Sequence, residues 1–221
     1  TATNSILVTV NNFEPGTVSA DQTICEGGTP AAFASVAPTG DGVFTYQWQR
    51  SADGVTFVNI TGATGETYAS TALTADTWFR RGVTSTLNGN LCTEYTPSVR
   101  VTVNNFLPGS ISAAQTICEG DTPAALTSVD GSGDGTITYQ WQDSPDGVTF
   151  TDIGGATAAT YAPGALTADT WYRRIVTSTL NAVPCALNTN TVKITVNNFD
   201  PGSIGSDQTI CENTAPLALT S

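Results

Sequence analysis

The sequence predicts an all-β protein built of tandem β-sandwich domains, and three observations predict it. A long segment recurs without insertion or deletion: Val-Asn-Asn-Phe ends at Phe13, Phe106 and Phe199, two intervals of 93 residues. Within each interval, short stretches rich in Val, Thr, Tyr, Phe, Ile and Trp alternate with turns containing Gly, Asp and Asn. No stretch spaces its apolar residues at the 3.6-residue period of an amphipathic helix, so almost no helix is expected.

The repeat register holds throughout. Gln22-Thr-Ile-Cys-Glu26 returns at 115–119 and 208–212, Tyr46-Gln-Trp-Gln49 at 139–142, Asp53-Gly-Val-Thr-Phe57 at 146–150, and Leu73-Thr-Ala-Asp-Thr-Trp78 at 166–171. A unit of this length exceeds the ~20–45 residues of a solenoid repeat and matches one small autonomous domain. The predicted organisation is therefore residues 1–13 as the last strand of a preceding repeat, 14–106 and 107–199 as two full repeats, and 200–221 as the start of a following one. The chain reads as a window onto a longer array.

Inside one repeat the expected strands are a weak one near 17–24, then 31–37, 43–49, 55–60, 66–70, 77–86 and 97–104. Between them stand Gly27-Gly28, Gly40-Asp41-Gly42, Asp53-Gly54, Thr61-Gly62 and Asn88-Gly89. About seven strands in a domain of this size is the count of an immunoglobulin-like sandwich. An odd count puts entry and exit at opposite ends, so the beads should follow head to tail as an elongated rod of ~40 Å per repeat. Along 43–49, Phe44, Tyr46 and Trp48 share one face and Thr45, Gln47 and Gln49 the other. Ile137, Tyr139 and Trp141 repeat the pattern, so Trp48, Trp141, Tyr46 and Tyr139 are expected in the cores.

Composition excludes several functions. Seven Lys+Arg against 19 Asp+Glu give a net charge of −12, which repels nucleic acid and anionic lipid. With no His there is no Ser-His-Asp triad, no Cys-His pair and no His-ligated zinc, and no enzyme is expected. No apolar run approaches the ~18 residues of a membrane span. Thr1–Ser5 show no basic start to a signal peptide, so an export signal is expected outside this stretch.

The five cysteines follow the repeat as two types: Cys25, Cys118 and Cys211 near a repeat's start, Cys92 and Cys185 before its last strand. In a His-free chain without a CxxC pair, that spacing reads as a disulfide framework and not as zinc. Pairing within repeats, Cys25–Cys92 and Cys118–Cys185, is the favoured expectation, with Cys211 bonded to a partner beyond this stretch. Each such loop would contribute ~4 kcal/mol on the chain-entropy account. If 17–24 is a full strand running away from the repeat's start, Cys25 approaches Cys185 instead and staples the junction. Both pairings stay open at this point.

Asp41, Asp53, Asp134 and Asp146 each precede Gly, with Asp143 and Asp152 nearby; tight turns are favoured over a Ca2+ site, the one cofactor in view. Each doublet Arg80-Arg81 and Arg173-Arg174 should send one side chain to solvent and one toward the sheet interior, pairing with acids such as Asp76 or Asp169. Binding of an anionic glycan is the functional alternative for these arginines. At the junctions, Asn104-Asn-Phe-Leu-Pro-Gly109 and Asn197-Asn-Phe-Asp-Pro-Gly202 leave almost no slack. Pro108 and Pro201 stiffen the connection, and Phe13, Phe106 and Phe199 are expected to bury themselves between neighbouring beads.

Tyr-Gln-Trp-Gln, Ser-x-Asp-Gly-Val-Thr-Phe and Leu-Thr-Ala-Asp-Thr-Trp-Phe/Tyr-Arg-Arg, with Thr-Ile-Cys-Glu before and a second Cys after, make the chain similar to a known class. It resembles the Ig-like repeats of very large Bacteroidetes surface proteins, in particular the giant gliding-motility adhesins, over essentially all of its length. The resemblance implies type IX secretion, display on the outer cell surface, and a role in attachment and gliding. It also implies partners in the outer-membrane motility and secretion machinery. Further expected partners are the neighbouring repeats and surface or glycan ligands, but no nucleic acid. The alternative is a carbohydrate-binding module of a secreted polysaccharide-degrading enzyme, which would need a planar patch of exposed aromatics.

Overall fold

A computed structural model describes residues 4–219; residues 1–3 and 220–221, the outermost parts of the two predicted partial repeats, lie outside the described residues. The described residues hold twenty strands and no helix. The first repeat contains β1 (Phe13–Glu14), β2 (Thr17–Val18), β3 (Gln22–Cys25), β4 (Ser35–Val36), β5 (Thr39–Gly40), β6 (Val43–Ser51), β7 (Val58–Asn59), β8 (Thr77–Leu87), β9 (Asn90–Tyr95) and β10 (Val99–Asn104). The second repeats the series as β11 (Phe106–Leu107), β12 (Ser110–Ile111), β13 (Gln115–Cys118), β14 (Ser128–Val129), β15 (Ser132–Gly133), β16 (Thr136–Ser144), β17 (Thr151–Asp152), β18 (Thr170–Leu180), β19 (Val183–Asn188) and β20 (Val192–Asn197).

Each repeat has one six-stranded sheet, ordered β3-β10-β8-β6-β7 in the first and β13-β20-β18-β16-β17 in the second, with β9 and β19 pairing further along β8 and β18. Two-stranded pairs, β1 with β5 and β2 with β4, lie outside that sheet, and an isolated bridge links Phe33 to Tyr68. By compactness the chain divides into two units whose border does not follow the repeats. The first is Thr1–Pro108, Gly131–Thr138 and Val176–Leu187; the second is Gly109–Asp130, Tyr139–Ile175 and Asn188–Ser221. One end of the second repeat is thus part of the first unit.

The long strands β6, β8 and β10 match the alternating apolar patterns, because a strand with one buried face is legible from period two. Trp48 is fully buried among Phe33, Phe79, Val99 and Val101, and its indole N–H donates to the Gly65 carbonyl at 3.0 Å. Trp141 is buried likewise among Leu126, Tyr172, Val192 and Ile194, donating to Ala158 O at 2.9 Å. Burial pushes the Tyr172 hydroxyl up to about 12. Tyr46 and Tyr139 are half-buried at the margin of their cores.

Three expectations need correction. Residues 66–70 form no strand beyond the Tyr68 bridge. The strand β9 carries no sequence signal because all six of its residues are exposed, leaving no alternation to read. Its hairpin turn was legible: Asn88 and Gly89 both take positive φ, 49° and 79°, as an Asn-Gly turn requires. Residues 4–12, expected as a strand, form none, and Ile6 and Leu7 are each 89% exposed. Their counterparts in β10 are held between β3 and β8, neighbours that residues 4–12 lack.

Candidate functional site: a disulfide-locked repeat junction

Everything in this site belongs to the first compact unit. It starts with the direction of β3, which runs parallel to β10 in a register that sets Gln22 beside Val101 and Cys25 beside Asn104. Cys25 is thereby carried to the point where the chain leaves the first repeat. The β18–β19 hairpin of the second repeat turns there through Asn181 and Ala182, both at positive φ, and presents Cys185. The two cysteines form a disulfide with Cα atoms 5.6 Å apart, across a sequence separation of 160.

The favoured intradomain pairing is overturned. Cys25–Cys92 and Cys118–Cys185 do not form; Cys92, Cys118 and Cys211 are free and exposed. Strand register gives the reason. Val101 faces Thr77 on β8, and Cys25 lies three residues beyond that level, whereas Cys92 faces Ser85, eight residues along β8 in the other direction. At ~3.3 Å per residue that separates Cys25 and Cys92 by roughly 35 Å. Residues 22–25 are a true strand and not the irregular connection that the intradomain bond needed.

A buried polar lock accompanies the bond. Asn104 donates from Nδ2 to Ser178 O at 2.9 Å, and Ser178 Oγ donates to Asn104 Oδ1 at 2.8 Å. Both residues are fully buried, so each satisfies the other's side chain away from water. Asn181 Nδ2 adds a bond to Thr23 Oγ1 at 3.1 Å. The composition carried no hint of this pair; only the recurrence of Asn104 within Val-Asn-Asn-Phe could have pointed to it.

Phe106 is 8% exposed. Its backbone pairs with Gly133 in β15, where a Cβ would come 2.3 Å from the Phe106 Cβ. The ring also borders a cleft of about 370 Å³ lined by Cys25, Glu26, Thr74, Asn104 and Cys185. Phe13 is half-buried, its ring 5.8 Å from Phe44 of the repeat that follows it, while Phe199 is 78% exposed. Phe13 and Phe106 therefore anchor their connections onto the repeat they enter, whereas Phe199 does not show the expected burial. Pro108 precedes Gly109 at φ 69°, the positive φ of a type II turn, and Pro201 precedes Gly202 at φ 70°.

The arginine doublets split between faces, but not onto the expected acids. Arg80 stacks 4.0 Å from both the Phe57 and Tyr95 rings, and Arg173 4.0 Å from Phe150. Arg81 is fully buried and donates to the carbonyls of Glu66, Pro15 and Val36 at 2.9, 3.1 and 3.1 Å, with its guanidinium 4.7 Å from the Tyr46 ring. Arg174 is its buried counterpart, over Tyr139 at 4.1 Å. Desolvation pulls both guanidinium pKa values down. Asp76 instead pairs with Arg100, and Asp169 with Lys193 at 2.6 Å.

The carboxylates of Asp53 and Asp146 are committed to their own turns. Asp146 Oδ1 accepts from the backbone N–H of Thr149 and of Val148 and from Ser144 Oγ, each at 2.8 Å. These bonds favour the ionised form and hold its pKa at about 2. Asp53 is lowered by the same set, Ser51 foremost. Among the described residues no three His, Cys, Asp or Glu side chains gather to hold a metal. Because the folded value lies below the unfolded one, this stabilisation is complete above pH ~4 and fades as pH falls toward 2. NMR titration should show the Asp146 carboxyl ionising near pH 2, and in Ser144→Ala at a higher pH.

Comparison with known proteins places these features. The family described as Domain of unknown function (DUF8696) matches residues 14–105 and again 107–198. No curated protein matches the sequence. Among solved structures, three N-terminal domains of the bacteriophage RB49 Highly Immunogenic Outer Capsid protein align at 14% identity and a TM-score of 0.50, covering 85% of this chain and 70% of that one. Titin domains A168–A170 align at 13% identity and TM-score 0.43 over 84% and 68%. Sidekick-1 immunoglobulin domains 1–5 align at 13% identity and TM-score 0.37 over 84% of this chain, which spans 38% of theirs. These are likenesses of fold. The matched ranges take in nearly all of both full repeats, and the chain accordingly belongs to the DUF8696 family, carrying two tandem copies of an immunoglobulin-like β-sandwich.

Proposed function

We propose that this chain is a load-bearing stretch of a long bacterial surface adhesin, displayed outside the cell, exported by the type IX route and serving attachment and gliding. The observation that carries this reading is the Cys25–Cys185 bond, which ties one repeat covalently to the next. A bond of that kind forms and persists in an oxidising, extracytoplasmic compartment. It resists separation of neighbours under load. The net charge of −12 discourages lateral clumping of such fibres. The likeness of the repeat motifs to gliding-adhesin repeats supplies the surface and the motility.

Cells that make the protein provide the test. In-frame removal of both repeats should leave export intact while lowering attachment under flow and gliding speed; unchanged attachment and gliding would overturn the proposal. In solution, X-ray scattering of the oxidised chain should give an elongated particle of ~40 Å per repeat. Phe106→Ala should increase bending at the junction, and a scattering profile identical to the parent's would remove Phe106 from that role.

A further inference from the structure

The geometry points to a pairing rule that extends beyond the observed bond: the first-type cysteine of every repeat joins the second-type cysteine of the next, and none pairs within its own repeat. On this rule the face of the first repeat formed by Ser85, Asn88 and Cys92 is a docking surface for the far end of a repeat placed before it. Cys118, beside Asn197, is the matching donor toward a repeat placed after.

Two independent observations carry this. Every side chain of the observed junction has its counterpart one period away. Ser178, Asn181 and Cys185 correspond to Ser85, Asn88 and Cys92, and Thr23, Cys25 and Asn104 correspond to Thr116, Cys118 and Asn197. The backbone repeats as well: Asn88 and Asn181 have φ of 49° and 48°, and Cys118 faces Asn197 across parallel strands as Cys25 faces Asn104. Beyond this correspondence, half of the docking surface is already engaged. Asn11, the counterpart of Asn104, donates from Nδ2 to Ser85 O at 3.1 Å and accepts from Ser85 Oγ at 2.9 Å. That is the Asn104–Ser178 lock reproduced at the other end of the first repeat. Cys92 stands in the position of Cys185 and is exposed and unbonded. The occupant that fits is the Thr-Ile-Cys strand of another repeat of this family, whose strand end delivers a thiol to Cys92.

The chemistry is ordinary thiol–disulfide exchange with a disulfide oxidant such as oxidised glutathione. One thiolate attacks the oxidant, forming a mixed disulfide and releasing one glutathione thiol. The thiolate of the neighbouring repeat then attacks the protein sulfur of that mixed disulfide and releases the second. Two protein thiols are oxidised to one disulfide, and one oxidised glutathione is reduced to two thiols.

The test is a lengthened chain in which a second copy of residues 107–199 is inserted between Phe199 and Asp200. The inserted copy carries Ala186→Gly, so that its cysteine peptide differs in mass from that of Cys185. After refolding with reduced and oxidised glutathione, alkylation and digestion, mapping should find Cys25 linked to Cys185 and Cys118 linked to the tagged peptide of the insert. The insertion adds two cysteines and one bond, so the count of unbonded cysteines stays at three, as in the parent. Cys118 unbonded while Cys25–Cys185 is intact overturns the rule, as does Cys118 linked to the untagged Cys185 peptide or any other link within a repeat. Loss of both links overturns the junction geometry on which the rule stands.

Discussion

Pulled from its two ends, the oxidised chain should yield almost none of the length closed by Cys25–Cys185, and the reduced chain should yield up to about 560 Å more. The sequence separation is 160 residues, and an extended chain spans ~3.5 Å per residue. Force entering at the N-terminal end reaches Cys25, crosses the sulfur bridge to Cys185 and leaves toward the C-terminus. The core residues Phe33, Trp48, Val101, Trp141 and Tyr172 all lie within the bypassed span, so tension does not act along β6, β8, β10, β16 or β18; it acts along β3 and β20, which lie outside the closed loop. Single-molecule force spectroscopy with and without dithiothreitol reads this directly, and equal released lengths in the two conditions would refute it. Closing a loop of this size also disfavours the unfolded chain by about 5 kcal/mol on the chain-entropy account. Denaturant midpoints should therefore fall on reduction, with Cys25→Ser matching the reduced protein.

Arg81→Ala should be the most damaging substitution outside the disulfide, with an expected loss of about 3–5 kcal/mol. The guanidinium is inaccessible to water and holds carbonyls from three separate segments, at Pro15, Val36 and Glu66. Truncation opens a void and strands those three acceptors at once. Loss of a buried partner is costly because the remaining group has neither water nor protein to bond. Thermal unfolding should show the first repeat melting more than 10 °C lower, given ~4–8 °C per kcal/mol for a domain of this size. Arg81→Met, which keeps the stem and removes the buried charge, should cost less than Ala. The first repeat is the informative one, because Ala37 stands where the second repeat has Asp130, whose carboxylate lies 3.9 Å from Arg174. A shift below 2 °C for Arg81→Ala would show that the buried guanidinium contributes nothing net.

How far the sequence reaches is clearest along β6 and β8. There the face that packs on the core alternates with one that does not, and local periodicity places Trp48 and Trp141 inside, while the 93-residue recurrence shows that the sandwich is repeated. The Asn88-Gly89 turn was legible for the same local reason, since few residues accept its backbone. By contrast, β9 buries nothing and so writes no pattern into its residues. The doublets were expected to send one arginine inward onto an acid, but that Arg81 holds three backbone carbonyls was not legible, because those acceptors are gathered by the fold from distant positions. The disulfide shows the limit best. The 93-residue period sorts the cysteines into two types, and a period cannot choose among partners that occupy equivalent places in every repeat. That choice fell to the parallel pairing of β3 with β10, which carries Cys25 away from Cys92 and toward Cys185. Strand direction is a property of the assembled sheet: β3 and β10 stand far apart in the sequence, and no local pattern says that they pair or in which sense.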